Sequence, residues 1–399
     1  METSPMSANV MSNAKRELPE RQNSVGYLVI VHKGPTWRQV DIEPFCRLLS
    51  RRFEGEVWAY GSYDADVQVE RFRLRVVRER SSSSAVNFIG FARHVMRWSK
   101  ELKARCHLRL AIVSVEPFKG GILALYTAWR TGGAFICEVN GVYANHTHFS
   151  NGRIAAAKHV RRRIRLALGA LVLRHATAVR LQFPGQLRDF AILPDHMVTR
   201  QFFDASGNLE LFRPADPEKE EPVVLGVGFP FMVKGFDVLC RAFQQVSEKH
   251  PTWKLVLIGH NVPQEIRAAG LEHPRIEPYP GMQQSEVAKW MCRCSIFALP
   301  SRTDAMPRVL MEAGAARKCR VATNVDGIPM LIDHSVDGLL VESEAVGQLA
   351  DNLDRLMSDK TLRDSLGEAA RLRVEREFSG DVYLAHYSDL VSAALQGRA

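Results

Sequence analysis

Asp304 and Glu312 bracket seven residues where an apolar stretch gives way to a helical pattern. Ile296-Phe297-Ala298-Leu299 reads as a short buried strand that stops at Pro300. Ser301 to Met306 is a turn. Pro307 suits the first helical position, because its missing N–H would be unpaired there anyway. The N–H groups around Ala305 to Arg308 then point out of the strand's carboxyl end, an arrangement that attracts a phosphate or another anion. Open parallel sheets bind ligands at that place. One acid in the turn and one inside the helix can address a single ligand from two heights. Read alone, Asp304 is equally an N-cap. Glu312, between Met311 and Ala313, needs a partner if buried, since an unpaired buried carboxylate is costly.

Two further segments have the same strand–turn–helix character. Gly226-Val227-Gly228-Phe229-Pro230-Phe231-Met232-Val233-Lys234-Gly235 is a glycine-containing loop after an apolar strand, and by composition alone Lys234 is an ordinary surface lysine. Glu138-Val139-Asn140-Gly141 ends a strand in the first half, where Asn and Gly equally serve a plain turn. His146 and His148 follow with no Cys or acidic cluster beside them, so they read as loop histidines.

Pro300-Ser301, Asp304 and Glu312-Ala313 together resemble, in order and spacing, the donor-sugar motif of retaining glycosyltransferases of family 4. The departures are Asp304 for the usual first Glu, Ala305 for Gly, and Arg317-Lys318 where a Gly is common. The resemblance implies a GT-B fold, α/β with two Rossmann-like domains facing a central cleft. It implies that Glu312 holds the nucleotide ribose, Asp304 the sugar and Lys234 the diphosphate, with Gly228 in the phosphate loop. It also implies donor contacts from Ala305, Met306, Pro307, Arg308 and Gly327, and places Asn140 near the transferred sugar. The family has an Arg five residues before the lysine, where this chain has Phe229; Arg302 and Arg308 are the candidates to supply that cation. The Met330 position often carries an acid in relatives, and Glu116 to Gly121 resembles a segment beside the acceptor cleft.

These sites need two scaffolds. The chain has 399 residues and is 46% hydrophobic, enough for two cores. Residues 1–23 are polar and read as a disordered leader without a signal peptide's apolar region. Residues 24–206 alternate strand and helix: strands at Tyr27–Val31, around Val57–Ala59, and at Arg71–Val77, Leu108–Val113 and Ala134–Val139, with helices at Val86–Ala104 and Gly121–Thr131. Residues 207–222, with Arg213-Pro214, Asp216-Pro217 and a charged run, have the composition of a linker. Alternation resumes over 223–378, the expected nucleotide-sugar domain. The resemblance returns the last helix, within 379–399, to the first domain.

Seven scattered cysteines without metal spacing suggest reduced core thiols and a cytoplasmic setting. The net charge of +9 points to an anionic partner. Arg153–Arg174 reads as a basic amphipathic helix, an ordinary solvated face or a site for an anionic membrane surface. It lacks the aromatic interleaving that nucleic acid would call for, so no nucleic acid is expected.

The resulting expectation is a metal-independent, retaining hexosyltransferase without a cofactor, acting peripherally on the inner face of the cell membrane. Its nucleotide-sugar donor serves a lipid-linked or polysaccharide acceptor in bacterial surface-polysaccharide biosynthesis. A nucleotide-sugar epimerase or a phosphorylase on the same scaffold is a second enzyme reading. The reading from another class is a degenerate GT-B scaffold that binds membrane or nucleic acid.

Overall fold

A computed structural model describes residues 26–32, 39–105, 109–143, 153–190, 198–202, 209–213 and 220–397, without the side chains of 39–41, 153–159 and 189. The proposed leader, His146 and His148 lie outside the described residues, as do Cys106 and half of the proposed linker.

The first domain is an eight-stranded sheet in the order β3-β4-β2-β1-β5-β6-β7-β8. Its strands are β1 (Tyr27–Val31), β2 (Glu54–Gly61), β3 (Ala65–Val69), β4 (Phe72–Arg78), β5 (Leu110–Ser114), β6 (Ala134–Val139), β7 (Ala178–Leu181) and β8 (Val198–Gln201). All pair in parallel except β3, which runs antiparallel to β4. The central strands are apolar runs because helices cover both sheet faces. α1 (Gln39–Ser50) and the chain's last helix, α11 (Gly380–Gln396), pack on one face; α2 (Ser84–Arg105), α3 (Lys119–Thr131) and α4 (Arg153–Arg174) pack on the other. Helix α11 thus lies on the first domain, burying Tyr383, Leu384, Tyr387 and Leu390 there.

The second domain is a six-stranded parallel sheet in the order β11-β10-β9-β12-β13-β14. Its strands are β9 (Glu221–Val227), β10 (Lys254–Ile258), β11 (Ile276–Tyr279), β12 (Cys294–Leu299), β13 (Cys319–Thr323) and β14 (Leu339–Val341). Around it lie α5 (Phe236–Ser247), α6 (Val262–Ala268), α7 (Gln284–Arg293), α8 (Arg308–Ala315), α9 (Val346–Ser358) and α10 (Lys360–Glu377). Phe236, Leu239, Cys240, Phe243 and Val246 fill one core from α5, as their helical spacing requires.

Several sequence expectations change. Ala65–Val69 is a mostly exposed edge strand whose alternation of apolar and polar residues runs over only five positions, too short to stand out, and Glu70 turns it back with a φ of 51°. Leu209–Phe212 forms a short 3-10 helix with Phe212 buried in the second core, so this part of the 207–222 stretch belongs to the second domain. Pro307 precedes α8 as its cap residue instead of opening the helix, with extended φ and ψ of −69° and 109°.

α4 does not divide into one basic and one apolar face. Gly169, Val172 and Leu173 are buried against the domain, and a Cβ on Gly169 would meet the Phe190 ring at 2.7 Å. Arg165 lies 3.9 Å from the Phe118 ring centroid, while Val160, Ile164, Leu168 and Leu171 are exposed. The helix is therefore apolar inward and outward, with arginines between.

Candidate active site

The carboxyl ends of β9 and β12 carry two loops that one glycine locks together. Gly235, in the left-handed region at a φ of 66°, opens α5, and a Cβ there would stand 1.9 Å from the Pro300 carbonyl oxygen. Only glycine permits that approach. The Arg302 N–H donates to the Val233 carbonyl at 2.8 Å and ties the loops further. The stem of Lys234 lies over Gly228, whose missing Cβ would meet it at 2.9 Å.

This geometry delivers Lys234 Nζ to Asp304 Oδ2, and the two form an ion pair. Ser301 Oγ donates to the same oxygen at 3.4 Å. Asp326 holds the turn from behind: its Oδ2 accepts from Thr303 Oγ1 at 2.6 Å and from the Asp304 N–H at 3.0 Å. Gly327 donates its N–H to the Asp304 carbonyl at 3.2 Å, and a Cβ on it would clash with the Ala305 carbonyl oxygen at 1.5 Å.

Glu312 sits in α8, 6% exposed, and accepts from Gln284 Nε2 at 3.1 Å. Burial raises its pKa, against the charge of Arg308 and the hydrogen bond from Gln284. The expected partner for a buried Glu312 is thus an amide from α7, with Arg308 adding charge at longer range.

Of the two candidate replacement cations, Arg302 is already committed. It donates to both Asp237 oxygens at 2.7 and 2.9 Å and to Glu344 Oε2 at 2.9 Å. The hydrogen bonds to Asp237 raise its pKa above the usual Arg value. Burial would raise the Asp237 carboxyl, but Arg302 outweighs it and holds the acid below its ordinary range. Arg308 is different: it is exposed, and among the described residues no hydrogen bond or salt bridge engages it. Phe229 is half exposed and packs edge-on against His260.

Between the domains lies a cavity of about 400 Å³. Met306, Arg308 and Met311 line it from the second domain; Glu116, Glu138, Asn140, Arg180 and Gln182 line it from the first. Asn140 Nδ2 donates to Glu138 Oε2 at 2.9 Å and to the Val115 carbonyl at 3.1 Å, which turns Oδ1 away from them. Glu138 pairs with Arg180 at 2.8 Å, directly across the β6–β7 ladder, and accepts from Tyr387 of α11 at 3.2 Å. Asn140 Oδ1 and Gln182 Oε1 are buried acceptors with no hydrogen-bond partner among the described residues. A ligand that donates hydrogen bonds, as a hydroxyl does, would satisfy them.

The structure therefore gathers Lys234, Gly228, Asp304, Ala305 and Gly327 at one loop cluster, and Met306, Arg308 and Asn140 at the cavity. Pro307 is buried between them in sequence, and Glu312 lies one helical turn from Arg308. Asp326, Gln284, Arg180, Gln182 and Tyr387 join the site from outside its local motifs. Arg180 inside β7 and Glu138 inside β6 did leave a signal, since opposite charges buried in neighbouring strands need each other. Among the described residues, no group of three His, Cys, Asp or Glu side chains is placed to hold a metal ion.

Residues 209–373 match the family described as Glycosyl transferases group 1. An uncharacterized glycosyltransferase of Haemophilus influenzae is 30% identical over 162 residues, covering 39% of this chain and 45% of that protein. A D-inositol 3-phosphate glycosyltransferase of Corynebacterium aurimucosum is 34% identical over 162 residues, covering 37% of this chain and 38% of that one. The chain thus spans less than half the length of either relative. Among solved structures, Anabaena HepE in complex with UDP and glucose superposes with a TM-score of 0.68 at 15% identity, over 91% of this chain and 98% of that one. WaaG, a glycosyltransferase involved in lipopolysaccharide biosynthesis, superposes with a TM-score of 0.63 at 18% identity, over 92% of this chain and 99% of that one. The chain has the GT-B fold, and its segment 209–373, which holds Lys234, Asp304 and Glu312, matches the glycosyl transferases group 1 family.

Proposed function

We propose that the protein is a retaining glycosyltransferase that moves a hexose from a nucleoside-diphosphate sugar to a hydroxyl of a lipid-linked or glycan acceptor in bacterial surface-polysaccharide assembly. The observation that carries this reading is the Lys234–Asp304 ion pair at the helix start beside the interdomain cavity. A bound diphosphate displaces Asp304 from Lys234 and takes the cation for itself. Asp304 is then free to accept from the sugar hydroxyls. The charge that builds on the leaving phosphate meets Lys234 without further reorganisation.

Neighbouring hydroxyls of the acceptor donate to Asn140 Oδ1 and Gln182 Oε1, the two buried acceptors that lack a partner, and so position the reacting hydroxyl. Its oxygen bonds to the anomeric carbon on the face from which the phosphate departs. The phosphate oxygen takes the hydroxyl proton as the sugar–phosphate bond breaks. Such a step needs neither a side-chain nucleophile nor a divalent metal, and its cations are Lys234 and Arg308. The lipid-linked acceptor places the enzyme at a membrane, with α4 toward the anionic surface.

Proton NMR of the product, with the reaction run in excess chelator, tests this reading. Retained configuration and undiminished turnover are expected. An inverted linkage, or activity restored only by a divalent metal, overturns the mechanism.

A further inference from the structure

Helices α2, α3 and α4 form one layer on the first sheet, with α3 between the other two. Nine of the fifteen large hydrophobic side chains exposed among the described residues lie on this layer. Ile122 and Trp129 point outward from α3, and Trp129 is 74% exposed. Val160, Ile164, Leu168 and Leu171 recur along one outward stripe of α4, each about half exposed. Three more stand on α2. Scattered exposed apolar residues are ordinary, but a contiguous set marks an interaction surface.

Charge says what that surface meets. The three helices carry fourteen Lys and Arg residues and a single acid, Glu101. On the opposite face of the same sheet, α1 and α11 carry four acids against Arg47. On α4, helical geometry sets Arg161 and Arg163 on the two flanks of the apolar stripe, and both are exposed. A second copy of this face would bring like charges together, which disfavours self-association.

We infer that the α2–α3–α4 face, centred on Trp129, docks on an anionic lipid bilayer, its apolar side chains entering the headgroup boundary and its arginines meeting lipid phosphates. Tryptophan is at home at that depth, with an apolar ring and an N–H for the wet side. The described residues contain no helix long and apolar enough to cross a membrane, so the contact is lateral. This inference rests on the transferase reading only in supposing that the acceptor is met at that bilayer. It widens the surface from one helix to a whole layer with an aromatic centre.

The test is co-sedimentation of the full chain with phosphatidylcholine vesicles, with and without phosphatidylglycerol, at low and physiological salt. The protein should bind only vesicles containing the anionic lipid, more weakly as salt rises. Arg161→Gln with Arg163→Gln should weaken binding about fivefold for each arginine. Trp129→Ser, and separately Ile164→Ser with Leu168→Ser, should release the protein at low salt, whereas Lys289→Gln in the second domain should change nothing. Donor hydrolysis in solution should be unaltered in all of them. The inference is overturned if the unaltered protein ignores anionic vesicles at low salt. It is equally overturned if the serine variants bind as before while the arginine variant loses only a labelled oligonucleotide. Vesicle binding without any donor hydrolysis would keep the surface and remove the transferase reading.

Discussion

Lys234 and Asp304, 70 residues apart in the chain, form an ion pair whose side chains are 15% and 14% exposed. Its existence depends on Gly235, which allows one loop to rest on the Pro300 carbonyl of the other. Gly235→Ala should therefore separate the pair, because the new methyl has nowhere to go and its φ of 66° disfavours any side chain. Loss of most transfer with a lowered melting temperature is the expected result; normal turnover would show that the loop contact is dispensable.

Removing either charged partner separates their roles. Lys234→Ala should cost about a hundredfold or more in kcat, since it removes charge stabilisation at the leaving phosphate. Asp304→Asn should chiefly raise KM for the sugar donor while tightening nucleoside diphosphate binding, because the ion pair that the diphosphate displaces is gone. Steady-state kinetics with calorimetric binding of the diphosphate checks both, and equal losses in every quantity would contradict the division.

Glu312 should trade stability for function. Burial raises its pKa, so the folded state disfavours the carboxylate. The native protein is therefore penalised once pH rises through that raised pKa, and the penalty is absent below the unfolded value near pH 4. Glu312→Gln should melt higher than the unaltered protein at neutral pH, lose this advantage in acid, and lose most donor turnover. A melting temperature unchanged across pH would show that the buried carboxylate is not strained.

The two arginines near the motif should behave oppositely. Arg302→Ala breaks a network with Asp237 and Glu344 and leaves buried Asp237 only the exposed Arg241 at 3.9 Å, so it should cost about 3 kcal/mol of stability. Arg308→Ala should leave stability alone and weaken nucleoside diphosphate binding relative to the bare nucleoside. Denaturant unfolding and paired binding measurements check the contrast. The sequence alone left these two arginines as equal candidates, because spacing does not say which cation has already found an acid.

Much of the fold was legible because apolar runs and helical spacing recur along both halves, as at Lys254–Ile258 and Phe236–Val246. The two loops of the candidate site were legible for a related reason: Lys234-Gly235 and Asp304–Glu312 are local patterns. What escaped was non-local. Gln284 reaches Glu312, Asp326 braces Asp304, and Tyr387 reaches Glu138 across 249 positions, and no local pattern announces such partners. The outward apolar stripe of α4 escaped too, because one helix carrying two apolar faces blurs the periodicity that would reveal either.

The buried Glu138–Arg180 pair should position Asn140 and hold α11 on the first domain. Arg180→Met should cost about 3–5 kcal/mol because it strands a buried carboxylate. Tyr387→Phe removes one hydrogen bond and should cost about 1 kcal/mol. Chemical denaturation ranks the two, and the reverse order would contradict the assignment.

Donor hydrolysis over a panel of UDP-, GDP- and ADP-sugars, run side by side on the unaltered protein, Lys234→Ala and Glu312→Gln, tests the central claim most directly. One class of nucleotide sugar should be hydrolysed by the unaltered protein, with at least about a hundredfold loss in Lys234→Ala and a clear loss in Glu312→Gln, both variants remaining folded. Hydrolysis of none of the donors by the folded, unaltered protein, or equal turnover in all three proteins, would contradict the account.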